Sequence, residues 1–563
     1  MEEVFLPRVD FENYEDFYKN YKVNVPENFN FAYDVMDVLA AKRGNDRALV
    51  WTNDEGVTKE FTYAEIKERT NKTAQFFKNV GIGKGDMVML ILQRRYEFWI
   101  SILALHKLGA SVIPATHMLT KEDIVFRNNA ADIKAVIAVN DGDILKHIDE
   151  SIPESPSLKI RIAANAHGLD QENESLPEGW LDFTKGSREA AELPTPTAEE
   201  RKEINKNDDI MLSYFTSGTT SHPKLVAHDF TYPLGHIPTA KYWQQVQNGG
   251  LHLTVADTGW GKAVWGKLYG QWICECAVFV YDYHARFKPI DLMQKIQDFG
   301  ITSFCAPPTI YRFLIQEDLS KFNLSSLKHC STAGEALSEE VFNKWLQITG
   351  LELREGFGQT ETTLSLFNFM NEKVKPGSIG KPSPYYNAVL LNEDLTPCED
   401  GEVGEIAFPL KDGKFPGLFL DYFRDPEKKK EVIHDGYYFT GDTAWRDEDG
   451  FFWFTGRGDD VIKCSGYRIG TFEVESVLMQ HPSVVECAVT AAPDPIRGQV
   501  VKATIVLAKG FTPSDELVKD IQVFVKKTTA PYKYPRIVEF VDELPKTISG
   551  KIKRRDIRQK DNK

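Results

Sequence analysis

No stretch of this 563-residue chain is long and apolar enough to cross a bilayer. The longest apolar run, around Trp272–Tyr281, is broken by Glu275 and falls short of the roughly 20 residues a membrane helix needs. The opening Met1-Glu2-Glu3-Val4 has no apolar signal region, so no membrane anchor is expected. Cysteine is scarce as well: seven residues, odd in number and scattered, offer no disulfide framework. Cys274 and Cys276 form a C-x-C pair, but no second pair with zinc spacing joins them. Buried thiols in a cytoplasmic compartment are the expectation. Positive charge is not in excess: 67 Lys and Arg against 82 Asp and Glu leave a net charge of -15, which argues against nucleic acid and acidic membranes as partners. A site for a polyanion must then be assembled from local basic groups. Internal repeats and low-complexity tracts are missing too.

What is present is ordinary globular composition on a chain too long for one core. The first forty residues, rich in aromatic and acidic side chains, read as a lead-in segment. From Ala48 strand and helix patterns alternate, the signature of parallel α/β layers. Phe61–Val80 reads as a helix with Thr62 as its N-cap and Glu65 three residues on, a capping-box spacing. Met87–Leu92, Ser111–Pro114 and Ala135–Val139 read as buried strands, and Phe98–Leu108 as an apolar helix. Residues 165–208, polar and rich in Pro, Glu and Asn, read as a surface excursion. A second alternating run includes Leu251–Ala256, Ala277–Tyr281, Ile290–Asp298 and Thr302–Ala306. Short strands and turns over 386–455 predict a β-rich subdomain, and the last hundred residues alternate again before a basic tail.

Residues 216–224 read Thr-Ser-Gly-Thr-Thr-Ser-His-Pro-Lys. Gly218 frees the backbone to turn its N–H groups toward an anion. Thr216, Ser217, Thr219 and Thr220 supply hydroxyls, and Lys224 a positive charge. The segment lacks Walker spacing, and Pro223 removes a backbone donor, so the pattern points to phosphates held in another manner than in a kinase or GTPase. Further segments follow: Ala-Gly-Glu-Ala-Leu at 333–337, Glu-Gly-Phe-Gly-Gln-Thr-Glu-Thr at 355–362, Tyr-Phe-Thr-Gly-Asp-Thr at 438–443, Thr-Gly-Arg-Gly-Asp-Asp at 455–460, Ser-Gly-Tyr-Arg at 465–468, and Pro-Lys-Thr-Ile-Ser-Gly-Lys at 545–551. Singly, each has a plain structural reading: Asp442 as a turn residue, Arg457 as a surface pair with Asp459 or Asp460, Lys551 as part of a solvated basic run. In this order and spacing, over essentially the whole chain, they resemble the adenylate-forming superfamily. The wording Ala256-Asp257-Thr258-Gly259-Trp260 and Ala530-Pro531-Tyr532-Lys533-Tyr534-Pro535-Arg536 is most similar to the medium-chain acyl-CoA synthetases.

The resemblance implies an α/β fold: a large N-terminal domain over 1–458, built of two α/β subdomains and a β-rich one, and a small mobile α+β domain over 459–563 that swings about Asp459. It implies ATP, Mg²⁺ and CoA as cofactors and a small carboxylic acid as substrate, and leaves a homodimer open. The acid attacks the α-phosphorus of ATP to give an acyl-adenylate; a thiol then displaces AMP. Charge gathers on the phosphates in the first step, so catalysis is positioning and electrostatic stabilisation. The implied roles are Glu361 and Thr219 on Mg²⁺, Thr360 and Arg468 on phosphate, and the loop from Thr216 to Lys224 on the pyrophosphate that leaves. Glu355, Gly356 and Phe357 would line the adenine, with Gly334 and Glu335 opposite. Asp442 would accept from the ribose hydroxyls beside Arg457. Lys551 would bridge substrate carboxylate and α-phosphate. In the second step the 465–467 loop would replace Lys551, with Gly466 beside pantetheine and Arg497, Lys533 and Arg536 as candidate CoA contacts.

Two positions depart from the family pattern: Ser221 replaces a usual glycine, and Lys262 stands where relatives carry uncharged residues. Lys262 is expected to reach outward to solvent. For the acyl pocket, Gly358 replaces the tryptophan of acetate-specific relatives and should open space, with Trp243, Trp260, Trp265, Cys305 and Gly334 as walls and Trp265 limiting depth. A short-to-medium, branched or cyclic acid follows. Competing readings are a carrier-protein acceptor in place of CoA, an ATP sensor that would not need Lys551, and a luciferase-like oxygenase; the direction of reaction is open.

Overall fold

The computed structural model describes residues 1–168, 170–216, 223–284, 287–335, 337–410, 413–464, 467–494, 497–546 and 551–561, with backbone alone at 459, 463, 467, 468, 498 and 561. Two large, mostly parallel sheets carry the first four hundred residues. One runs Lys381–Pro382, Leu364–Phe367, Leu353–Gly358, His329–Ala333, Ser303–Cys305, Leu251–Thr254, Ala277–Asp282, Arg47–Asn53 and Thr58–Thr62. The other runs Asp421–Tyr422, Lys224–Asp229, Ile210–Thr216, Ser111–Pro114, Met87–Ile91, Ala135–Val139, Ile160–Ala164 and Leu181–Asp182. Their central strands are buried along their length, as parallel strands covered on both faces must be. A third, antiparallel sheet is built on Val389–Leu391, Val403–Pro409, Tyr437–Arg446 and Phe452–Arg457. A fourth, smaller sheet joins Ile462–Cys464, Tyr467–Ile469, Val484–Asp494, Gly498–Leu507 and Ile537–Phe540, around its own core of Val474, Leu478, Val489 and Ile505. The fold is thus α/β, with a large N-terminal part, a β-rich unit and a small α+β unit at the C-terminal end.

Local signals place many of these elements. The helix Tyr63–Asn79 begins on the Thr62–Glu65 capping box, which satisfies two otherwise orphaned N–H groups and is worth about 1 kcal/mol. The apolar helix Glu97–Lys107 is buried all round. Two segments depart from their sequence reading. The opening forty residues are no loose lead-in: Phe5, Phe17, Phe29 and Phe31 are fully buried, and Phe17 packs on Tyr242 and Phe369 with ring centroids 4.6 and 4.8 Å away. Residues 165–208 are more than an excursion, since Leu181–Asp182 extends the second sheet and helices Phe183–Glu189 and Ala198–Ile204 start on Asp182 and Thr197 caps. Their polar composition hid the caps because capping residues are themselves loop-like.

Candidate active site

The site lies where ends of the first and second sheets meet the third. The hairpin of Ile210–Thr216 and Lys224–Asp229 pairs Thr216 with Lys224, so the phosphate-loop segment leaves and returns at adjacent positions. Between them Ser217, Gly218, Thr219, Thr220 and Ser221 lie outside the described residues, as does Gly466; the side chain of Arg468 does too. Burial lowers the Lys224 ammonium from the usual lysine range, opposed by Glu361. Its nitrogen stands 5.0 Å from the ring centroid of Tyr422, and Tyr422 Oη donates to Glu361 Oε1 at 2.7 Å. Burial, helped by Glu361, raises that phenol far above its ordinary value, so it remains a donor. Among the described residues no cluster of three or more His, Cys, Asp or Glu could cage a metal. One anchored carboxylate suits Mg²⁺, which takes its remaining ligands from phosphate and water.

Asp442 and Arg457 face each other as register partners on neighbouring antiparallel strands. Gln359 Nε2 donates to Asp442 Oδ2 at 2.5 Å and to the Thr440 carbonyl at 2.8 Å, and Tyr438 Oη donates to Gln359 Oε1 at 2.8 Å. Burial pushes Asp442 up to about 6, opposed by Arg457, the Gln359 hydrogen bond and Lys551. Lys551 immediately precedes Ile552, which bridges to Lys546, and its charge acts on both Asp442 and Lys262. The tail is not a free basic run: Arg554 Nη2 binds Glu475 at 2.8 Å and Arg558 pairs with Asp460.

The strand Leu353–Gly358, with a pairing irregularity between Phe357 and Gly358, presents side chains to two surfaces. Phe357 lies 6.1 Å from Phe454, centroid to centroid. Glu355, which the resemblance put beside the nucleotide, is a buried carboxyl; burial raises it well above the carboxylate range, and Oε1 accepts the Leu337 N–H at 3.1 Å. On the other face, a Cβ on Gly356 would come within 3.0 Å of Trp243 Cε2, and one on Gly358 within 2.4 Å of Trp265 Cη2. Gly358 therefore does not leave an open tunnel. Trp265 fills the room its side chain would take. Trp243 is buried and donates to the Arg354 carbonyl at 2.9 Å, while Trp260 caps the helix Gly261–Gly266 that carries Trp265.

Lys262, on the same helix and half-buried, turns its ammonium back to the protein and not outward. Its ammonium donates to the Ala333 carbonyl at 2.6 Å, and burial lowers it from the lysine range, opposed by Cys305 and Glu335. Gly334, at φ +100, turns the chain past it; Lys262 Nζ stands 3.9 Å from where a Cβ would be. Glu335 accepts from Thr309 Oγ1 at 2.7 Å and lies 3.7 Å from Arg312. The CoA candidates are engaged locally: the Arg497 N–H donates to Asp494 at 2.8 Å, Lys533 pairs with Glu473, and Arg536 donates to Tyr534 Oη at 2.7 Å. Gln359 and Tyr422 escaped the sequence reading of site residues. Gln359 sits inside the quoted 355–362 motif, whereas Tyr422 gave no signal, being a strand tyrosine whose target lies 61 residues away.

A three-sheet body with a small C-terminal unit whose lysine acts on Asp442 defines an adenylate-forming architecture. The chain belongs to the AMP-binding enzyme family: residues 36–410 match the AMP-binding enzyme and 473–551 its C-terminal domain. It is 39% identical over 561 residues to the mitochondrial acyl-coenzyme A synthetase ACSM3 of Mus musculus, covering 98% of this chain and 94% of that protein. It is 40% identical over 547 residues to mitochondrial ACSM4 of the same species, covering 95% and 91%. Among solved structures, an anthranilate CoA ligase in complex with anthranoyl-AMP matches with TM-score 0.85 and 27% identity, covering 96% of this chain and 98% of that one. A benzoate CoA ligase from Burkholderia xenovorans matches with TM-score 0.79 and 26% identity, covering 94% and 100%. The cytoplasmic expectation is overturned by the mitochondrial naming of the curated relatives.

Proposed function

We propose that this chain is an acid–CoA ligase that forms an acyl-adenylate from a short-to-medium-chain, branched or cyclic carboxylic acid and ATP, and then a CoA thioester with release of AMP. The observation that carries the reading is the reach of Lys551, whose charge acts at once on Asp442 and on Lys262 beside the Trp265 pocket. A lysine there bridges the α-phosphate and the attacking carboxylate, orienting both and offsetting charge in the transition state. Glu361, steadied by Tyr422, would hold Mg²⁺, which when bound would neutralise phosphate charge. Asp442, steadied by Gln359, accepts from the ribose. A swing of residues 459–563 about Asp459 exchanges Lys551 for the 465–467 loop between the half-reactions.

Trp265 on Gly358 sets the acid. Acid-dependent ATP–pyrophosphate exchange, screened from acetate to decanoate with isobutyrate, 2-methylbutyrate and benzoate, is expected to peak among the short-to-medium, branched or cyclic acids and to be weak at both ends of the series. A peak at acetate or at decanoate would overturn this assignment. Because a methylene is worth about 1–3 kcal/mol, Trp265→Ala should move the optimum by two or more methylenes toward longer acids, read as the ratio of kcat/KM values. An unchanged order of acids would place Trp265 in the core alone.

The Asp442 carboxyl adds a pH signature. It binds ribose as the ionised acceptor, and its value of about 6 lies within the working range. Ionisation is nearly complete at about pH 7 and mostly lost at about pH 5, so KM for ATP should rise by about tenfold over that fall. Asp442→Asn should flatten this segment of the profile while raising KM throughout.

A further inference from the structure

His228 stands outside every role assigned so far, yet it touches the centre of the site. It lies on the strand Lys224–Asp229, four residues after Lys224, and the period of two puts both on one face. His228 is fully buried, with its ring centroid 3.9 Å from that of Tyr232. Its Nε2 is 2.7 Å from the carbonyl oxygen of Thr360. A carbonyl only accepts, so Nε2 carries the proton and donates; Nδ1 is then the bare nitrogen, buried with no partner among the described residues. Burial holds the ring at about 3, lowered further by Lys414, so it is neutral throughout the working range.

The carbonyl it holds belongs to the Thr360–Glu361 peptide. In a trans peptide the C=O and N–H point in opposite directions, so fixing Thr360 O also fixes the direction of the Glu361 N–H. The neighbouring carbonyl, that of Glu361, is held by the Phe419 N–H at 2.8 Å. The Gln359 N–H is held by Thr362 Oγ1 at 2.9 Å, and the Glu361 side chain by Tyr422. Of these supports only His228 comes from the strand that ends the phosphate-loop hairpin.

We propose that His228 is a positioning residue for adenylation, coupling the phosphate-loop hairpin to the Thr360–Glu361 peptide through its Nε2–H. The inference rests on the acid–CoA ligase reading. A peptide plane free to rotate would carry Thr360 and Glu361 off the pentavalent phosphorus geometry, with effect on the first half-reaction and little on the second.

The test compares pyrophosphate exchange with thioester formation from supplied acyl-adenylate and CoA. His228→Phe keeps a ring of similar size and removes the donor. Its exchange kcat should fall about 30-fold, with KM for the acid within about twofold and the second half-reaction within about threefold of the parent. His228→Gln brings an amide N–H to the Nε2 position and should recover exchange to within about fivefold, whereas His228→Asn, which stops near the Nδ1 position, should not. The Gln and Asn pair decides the matter even where the Phe variant fails to fold. Unchanged exchange in His228→Phe, equal activity in the Gln and Asn variants, or parallel loss of both half-reactions overturns the proposal. Absence of exchange in the unsubstituted protein with every acid would instead overturn the ligase reading.

Discussion

Lys551→Ala is expected to lower acid-dependent pyrophosphate exchange about 10³-fold and to leave CoA thioester formation from supplied acyl-adenylate within about threefold. The asymmetry follows from where the charge stands. The Lys551 charge acts on both Asp442 and Lys262, and in the proposed mechanism it serves the step in which a carboxylate meets a phosphate. Its loop is tied by the Lys546–Ile552 bridge, and the following residues are anchored through Arg554 to Glu475. Alanine therefore removes an ammonium and leaves the Lys546–Ile552 bridge and the Arg554–Glu475 pair in place. Equal loss in both half-reactions would contradict the exchange of residues between steps. Retention of both would return Lys551 to the solvated run that its neighbours suggest.

Glu361→Gln should be nearly as damaging, with exchange down about 10²-fold or more at a fixed low Mg²⁺ concentration and partly recovered as Mg²⁺ is raised. The amide is nearly isosteric and can still accept from Tyr422 through its oxygen, so the 2.7 Å hydrogen bond survives. What is lost is the negative charge. Tyr422→Phe, which keeps the charge and removes the brace, should cost about tenfold or less and shift the Mg²⁺ requirement in the same direction. A Gln variant with an ordinary Mg²⁺ profile would remove Glu361 from the metal.

How much of this could be read from the chain alone differs by residue. The Thr62–Glu65 cap and the buried strand Ala135–Val139 obey local rules of spacing and apolar runs, whereas the facing of Asp442 and Arg457 came from the family resemblance alone. Lys262 was misread because a lysine's direction depends on which acceptor the fold supplies, here the Ala333 carbonyl 71 residues away. The chain alone marks Gly358 as the absence of a side chain and Trp265 as the limit of depth, but not that the two meet directly. The space it frees is taken by Trp265, an aromatic ring delivered by a helix almost a hundred residues earlier in the chain. Gln359, Tyr422 and His228 act on neighbours through contacts that no periodicity announces. The aromatic opening segment was misjudged for the opposite reason, since acidic residues dilute a pattern whose Phe side chains are all turned inward.

The alternation along Leu353–Gly358 has a further consequence for how such an enzyme diversifies. Phe357 and Glu355 belong to one face of the strand, and Gly356 and Gly358 to the other, against Trp243 and Trp265. Under the proposed function, one short strand then carries two independently variable surfaces. Substitution at Gly356 and Gly358, compensated by Trp243 and Trp265, can change the acid accepted while Phe357 on the opposite face is left untouched.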